Sequence, residues 1–506
     1  MKITPARKLA KDLLKRAGLY GRVSAAARKY RYREYTKWVV ERESQAGPDS
    51  SGKTKFSIIV PTHKYTARYL EPLIDSVVAQ TYPNWELVLV NACETAADAE
   101  QVRRAAKRDG RIKVVELARN LHISGNTNAG IEVATGGFVS FLDHDDVIAP
   151  FALSEMSAAL DSDHTIQIFY SDEDKISEDG KERFYAFFKP DFDPELILTS
   201  SYACHFFSVR ANLAKKAGGL RPAFDGAQDY DFILRLLQFD PVIKHVPRVS
   251  YHWRMAQSST ASVISEKDYA ADAGRRALGE HVKRLGLPAN VEDVPGQATA
   301  YRLKYDLPAE TRVAVVSSGP TIPGIDVLTP AQSASALDRY DLLIYLADGI
   351  AATGGDWIRE LAARAIQPDV GVVSAAVLNG KGLAPAGYVV AAGRLQLLTQ
   401  NIVAPEFTLL GLSSWPRSFM VVPEGCYAVK TALLRNLASG APGSCLNLCL
   451  RLHQAGLRNI FWPYAQLRLA NCPLPPSTLP LPSGLEGPPD PSFNPNLTIK
   501  NHRATL

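Results

Sequence analysis

The stretch FVSFLDHDDVIAP, residues 138–150, ends an apolar run in three carboxylates, Asp143, Asp145 and Asp146. Like charges this close repel one another and lose solvation on folding. A divalent cation relieves both costs, and oxygen ligands suit Mg²⁺ or Mn²⁺. Mg²⁺ takes one or two protein carboxylates and completes its shell with water and phosphate oxygens, so an Asp-x-Asp at an open strand end suits a metal-bound diphosphate. Held there, the metal would make the diphosphate a better leaving group. The competing reading is a solvated acidic turn that caps the helix after Ala149 and Pro150.

The elements around this cluster say where it must lie. FSIIV (56–60), ELVLV (86–90), IKVVEL (112–117) and FVSFL (138–142) read as strands. Helices near 68–79, 95–108 and 124–134 alternate with them. This alternation predicts a parallel sheet with crossover helices, and ligands in such sheets bind beyond the carboxyl ends of strands. The acidic cluster sits at one such end.

The chain has 506 residues, enough for two or three domains. With 46% hydrophobic and 22% charged residues it reads as globular. No apolar run of about 18 residues predicts a membrane span. The opening MKITPARKLAKDLLKR lacks the apolar core of a secretory signal, so export is not expected. Six scattered cysteines form no zinc or redox spacing, which fits a reduced cytosol. Cys445 and Cys449, one helical turn apart, read as core packing.

Residues 1–42 hold 13 Lys and Arg against three acids, a net charge of +10 that leaves −5 for the remainder. Leu9, Leu13, Leu14 and Ala17 would share one helix face, with basic residues largely around the other. Such an arm either rests on an anionic membrane, at ~1 kcal/mol per basic residue, or is simply solvated. No recognised binding module accompanies it, so nucleic acid is not expected as a partner. The expected organisation is a basic helical arm over 1–45, a linker over 46–55, a first domain over 56–300, a second over 301–472 and a Pro-rich tail over 473–506.

Five motifs occur in order: FSIIVPTHKYTARYLEPLIDSVVAQTYPNWELVLV, SGNTNAGIEVATGGFVSFLDHDDVIAP, YSDEDK, GAQDYDFILRL and HVPRVSYHWR. Together they resemble the family-2 glycosyltransferases of GT-A fold, nearest to the bacterial rhamnosyltransferase-like enzymes of surface-polysaccharide assembly. The resemblance spans roughly residues 56–260. It implies an α/β, Rossmann-like domain that moves a sugar from a nucleotide diphosphate sugar to a hydroxyl of a glycan, expected to be lipid-linked. Such an enzyme is expected in the cytoplasm, and residues 1–42 either hold it peripherally on the inner face of the cell membrane or are simply solvated. Pro61 and Thr62 match the first strand end beside the nucleotide. Asp145 matches the ligand of a bridging Mn²⁺ or Mg²⁺, Asp143 a contact to ribose or sugar, and Asp146 a supporting acid.

Asp229 matches the catalytic base, which takes the acceptor proton in a direct, inverting displacement. As an acid at a helix start it also suits an N-cap. Asp231, in the first turn of the same helix, reads as structural. His252 would reach the metal and Arg254 would clamp phosphate, against the alternative of a surface loop with a packed Trp253. Ser258, Ser259 and Thr260 would form a closing loop. Asp172 and Glu173 would hold sugar hydroxyls or sit in a solvated turn.

Asn91 stands where the family often carries an acid after its second strand, which leaves base preference open. The second half repeats the first weakly. DYDFILRLLQFDPVIKHVP (229–247) aligns with CLNLCLRLHQAGLRNIFWP (445–463) at an offset of 216, and the FVSFL of FVSFLDHDD with the LLIYL of DLLIYLADG at an offset of 204. An internal duplication accounts for this. Ala347, Gly349 and Cys445 replace Asp143, Asp145 and Asp229, so the later copy is expected to be a degenerate, shortened GT-A-like domain without transfer activity. Two rivals remain. A sugar nucleotidyltransferase would favour a Gly-rich phosphate loop, which PTHKYTARY lacks. A non-catalytic glycan-binding scaffold fits the second copy better than the first.

Overall fold

The computed structural model describes residues 20–505 apart from 46, 51, 256–263, 320, 353–355, 380–384, 392, 400–406, 409–413, 437–443, 471–474, 482–489, 497 and 501–502. The chain divides into two units. One holds the described residues up to Lys189 together with Ala203–Ala277 and Pro405–Thr408. The other holds Pro190–Tyr202, Leu278–Ala404 and the described residues from Leu409 onward. The division falls inside the helix Ile264–Arg284 rather than at the expected residue 300.

The first unit is built on β1 (Phe56–Thr62), β2 (Trp85–Asn91), β3 (Ile112–Glu116) and β4 (Phe138–Phe141). These run parallel in the order β3-β2-β1-β4. All of β2 and all but Pro61 of β1 are buried. A parallel sheet covered on both faces demands such near-continuous apolar runs. The crossover helices are Ala67–Val78, Ala96–Ala106 and His122–Val133. The first turns Tyr69, Leu70, Leu73, Ile74 and Val77 to the core at helical spacing.

Beyond β4 the expectation of a parallel sheet fails. β8 (Ser208–Arg210) lies antiparallel to β4, and β6 (Ile168–Ile176) antiparallel to β8. β9 (Ile243–Arg254) runs parallel to β6, while β5 (Val147–Ile148) is antiparallel to β9 and β7 (Arg183–Phe187) antiparallel to β6. β8 inserts beside β4 from some 70 residues further along, a long-range pairing that local periodicity does not carry. From β1 the strand order runs to β2 on one side and to β4 on the other, and a crevice opens at such a switch point.

A helix spans Tyr20–Ser44. The face expected over residues 9–17 lies outside the described residues. From Tyr35 onward the helix is part of the first unit rather than a separate arm. Tyr35 Oη donates to Asp174 at 3.0 Å, and Glu43 lies 3.1 Å from His252 Nε2 and 3.3 Å from Arg183 Nη2. Among the described residues no helix is long and apolar enough to cross a membrane.

The second unit carries a sheet in the order Asp326–Leu328, Val313–Val316, Leu342–Leu346, Cys426–Lys430, Val370–Leu378, Arg458–Leu469, Ile350–Ala352. The successive pairings are parallel, parallel, antiparallel, antiparallel, parallel and antiparallel. Pro190–Tyr202 is held in this unit by Glu195, which accepts from Arg364 at 2.6 Å and from Arg458 at 3.0 Å. Described parts of the expected tail are built in as well. Thr478–Pro480 pairs with Arg394–Thr399, and Asp490, Phe493 and Asn494 are buried.

Candidate functional site

A cleft at the end of β1 and β4 is lined by Pro61, Asp143, His205, Gln228, Asp229 and Tyr251, with apolar residues beneath, and encloses about 570 Å³ of empty space, open solvent included. Asp143 and Asp229 therefore share one wall, although 86 positions separate them in sequence. Asp145 does not line this wall. It lies in the same short loop, where its charge acts on Asp143.

The loop is shaped by its third acid. Asp146 is fully buried and accepts from Tyr251 Oη at 2.5 Å and from the Arg254 backbone N–H at 2.7 Å. Arg254 Nε donates to the Asp145 carbonyl at 2.7 Å, and Nη1 to the Glu178 carbonyl at 3.1 Å. Asp146 and Arg254 thus bind the acidic loop to β9. Among the described residues none donates a hydrogen bond to the Asp143 or Asp145 carboxylate. Hard oxygen donors left free in an open loop fit Mg²⁺ or Mn²⁺.

Asp143 stands open to solvent at the cleft mouth, with protein crowded beneath it. Desolvation, with Asp145 and Asp229 adding and His205 opposing, pushes its carboxyl up to about 6. Asp229 is raised too, by burial, against the pull of His205. It sits in the first turn of the helix Gln228–Leu236, where the helix dipole favours a carboxylate. The N-cap position belongs to Ala227, so Asp229 does not cap this helix. Asp231 is buried and held by Arg221 and by Arg235 Nε at 2.9 Å.

Several expected residues are engaged elsewhere. His252 does not join Asp145. Its Nδ1 contacts Asp174 at 2.6 Å and its Nε2 faces Glu43, because its strand position turns the ring toward the N-terminal helix. Asp172 and Glu173 lie within β6, both buried, and not in a turn. Asp172 contacts His245 Nε2 at 2.9 Å, and Glu173 accepts from Lys189 at 2.9 Å. Ser258, Ser259 and Thr260 lie outside the described residues. On the β1–β2 side, Thr62 and Asn91 face each other in register. The Thr62 hydroxyl is buried without a hydrogen-bond partner, and Asn91 donates to Glu116 at 2.9 Å. A carboxylate does therefore stand beside Asn91, supplied by the end of β3.

Sequence reasoning missed His205, Lys189 and Glu116. Glu173, Cys204 and His205 come within metal-ligating distance of one another. The Lys189 ammonium on Glu173 places a cation there already, so this trio does not fit a metal. No local pattern marks His205. Only its approach to Asp143 and Asp229 does.

Residues 57–218 match Glycosyl transferase family 2. An uncharacterized protein, y4gI of Sinorhizobium fredii, is 30% identical over 482 residues, covering 81% of this chain and 52% of that protein. The O-antigen biosynthesis protein RfbC of Myxococcus xanthus is 28% identical over 521 residues, covering 89% of this chain and 40% of that protein. A chondroitin synthase of Pasteurella multocida is 26% identical over 198 residues, covering 39% of this chain and 20% of that protein. The chain spans about half the length, or less, of these relatives. The first unit is a mixed α/β glycosyltransferase domain. It carries, over residues 57–218, the chain's likeness to glycosyltransferase family 2.

Proposed function

We propose that the first unit is an inverting, metal-dependent glycosyltransferase of GT-A architecture. It moves a sugar from a nucleotide diphosphate sugar to a hydroxyl of a surface-polysaccharide acceptor carried on a lipid. The observation that carries this reading is the wall shared by Asp143 and Asp229, with Asp145 in the adjoining loop. The O-antigen name of one relative supports the polysaccharide acceptor. The basic residues of 1–42 support contact with the inner face of a membrane.

Asp145, with Asp143 beside it, would hold Mg²⁺ or Mn²⁺, which when bound offsets the diphosphate charge and improves the leaving group. Pro61, Thr62 and Asn91 border the nucleoside side, where the unpaired Thr62 hydroxyl awaits a partner. Arg254, committed to the Asp145 carbonyl, holds the loop in place. Asp229 takes the proton of the acceptor hydroxyl as that oxygen bonds to the anomeric carbon. The bond from this carbon to the diphosphate breaks on the opposite face, and the nucleoside diphosphate leaves with the electron pair. The anomeric centre inverts, and no enzyme nucleophile is needed.

The second unit is, in this reading, a degenerate copy that serves as packing partner or acceptor platform. Its support is the order and sense of strand pairing, which follow those of β2, β1, β4, β8, β6, β9 and β5. The test is a thermal-shift screen of nucleotide sugars with Mn²⁺, followed by turnover of the stabilising donor in wild type and Asp229→Asn. Stabilisation by a nucleotide sugar, with turnover lost in the variant, is expected. A chain that no nucleotide sugar stabilises would be a scaffold.

A further inference from the structure

The cleft holds one ionisable side chain to which the transfer chemistry assigns no task. His205 lies just before β8, with its ring stacked on Tyr251 at 4.4 Å and 9° between planes. Its Nδ1 is 3.3 Å from the buried Glu173 carboxylate. Lys189 pins the same corner, donating to Glu173 at 2.9 Å and to the carbonyls of Cys204 and His205 at 2.5 and 2.7 Å. The ring is stacked on one face, its Nδ1 faces Glu173 without a hydrogen bond, Lys189 holds its backbone carbonyl, and its residue lines the cleft with Asp143 and Asp229.

The charges around it come from every neighbouring element: Glu173 on β6, Lys189 after β7, Cys204 beside it, Asp143 after β4, Asp229 on its helix and Tyr251 on β9. Burial works against a charged ring. Cys204, Glu173 and Asp143 outweigh it, and the His205 pKa stands well above the ordinary value. The Cys204 thiol is itself pushed up by burial and is uncharged at neutral pH, so the carboxylates do the holding. Against the Asp229 carboxylate stands its own desolvation. His205 is the cation that opposes it, while Gln228 Nε2 donates to Asp229 at 3.3 Å.

A second observation points the same way. The Leu342–Leu346 and Cys426–Lys430 strands pair in the register of β4 and β8, which sets Gly425 at the place of His205. The unit whose base position is Cys445 has thus lost this cation too.

We propose that His205 is a positioning residue of the cleft, a cation fixed between Tyr251 and Glu173 that keeps the Asp229 carboxylate ionised and ready to accept a proton. This rests on the reading of Asp229 as the base. The test is ¹³C NMR of carboxyl-labelled aspartate in the full chain, with the Asp229 signal assigned by its loss in Asp229→Asn. His205→Gln should raise the Asp229 pKa by about one pH unit or more, and His205→Lys should return most of it. The acid limb of kcat for the donor found by thermal shift should move with it, while donor KM stays unchanged. His205→Asn replaces the Gln variant where that one does not fold. An Asp229 titration that is the same with and without the imidazole overturns the proposal. Full turnover in Asp229→Asn would instead sink the base reading, and the titration would still judge His205.

Discussion

The two units share a sheet plan and differ in the charges set upon it. In the first, the positions around the cleft carry Asp143, Asp145, Glu173, His205 and Asp229. Read through the registers of strand pairing and the offset of 216 between the repeated helices, the second carries Ala347, Gly349, Val377, Gly425 and Cys445 in their places. The packing beneath is kept. Phe141 and Phe207 stack at 6.1 Å in one unit, and Tyr345 and Tyr427 at 5.0 Å in the other. Apolar strands suffice to hold the plan, with the charged groups of the site or without them. A fold and the chemistry grafted on it are separable.

This contrast can be broken most easily at the base. Asp229→Asn should lower turnover of the donor by about 10²- to 10⁴-fold, whereas Cys445→Ala should leave it unchanged. Equal losses in the two variants would mean that the second unit takes part in the reaction.

Next comes the acidic loop. At a nucleotide sugar concentration about a hundred times its Kd, with Mn²⁺, wild type should gain about 2.7 kcal/mol of stability. Asp145→Asn should lose most of that gain in a thermal-shift assay. Ala347→Asp combined with Gly349→Asp should not add a second binding event by calorimetry, because the second unit lacks the rest of the site.

The third contrast is set by pH. Lys189 and His205, against the cost of burial, hold the Glu173 carboxyl down to about 2. A folded pKa below the ordinary value means that this stability is present above about pH 4.5 and is lost as pH falls toward 2. Glu173→Gln should therefore cost on the order of 3 kcal/mol at pH 7 in a denaturant melt, and the gap from wild type should close in acid. A gap that does not change with pH would show that packing, not charge, holds this corner. The smallest effect is expected at the shared aromatic pair. Tyr345→Phe, which restores the residue type of the first unit, should change stability by less than about 0.5 kcal/mol.

The local elements were legible because their signal is local. The helix expected near 68–79 is Ala67–Val78, and the strand expected at 86–90 lies within Trp85–Asn91. Asp143 and Asp145 stood out because acids rarely end an apolar strand without a purpose. Other readings went astray where a side chain's partner lies far along the chain. His252 was expected at the metal, and Asp172 and Glu173 at sugar hydroxyls or in a solvated turn. The histidine turns to Glu43, some 200 residues earlier, and the two acids lie in a buried strand where Glu173 meets Lys189.

Periodicity, composition and motif order by themselves determined the strands, the crossover helices and the acidic loop. Each of these depends on residues within a few turns of one another. Which acids meet was decided only in three dimensions, because β8 and β9 come in beside β4 and β6 from far along the chain. That pairing carries His205 and Tyr251 to the mouth of β4, where the charge of one neighbour sets the ionisation of the next.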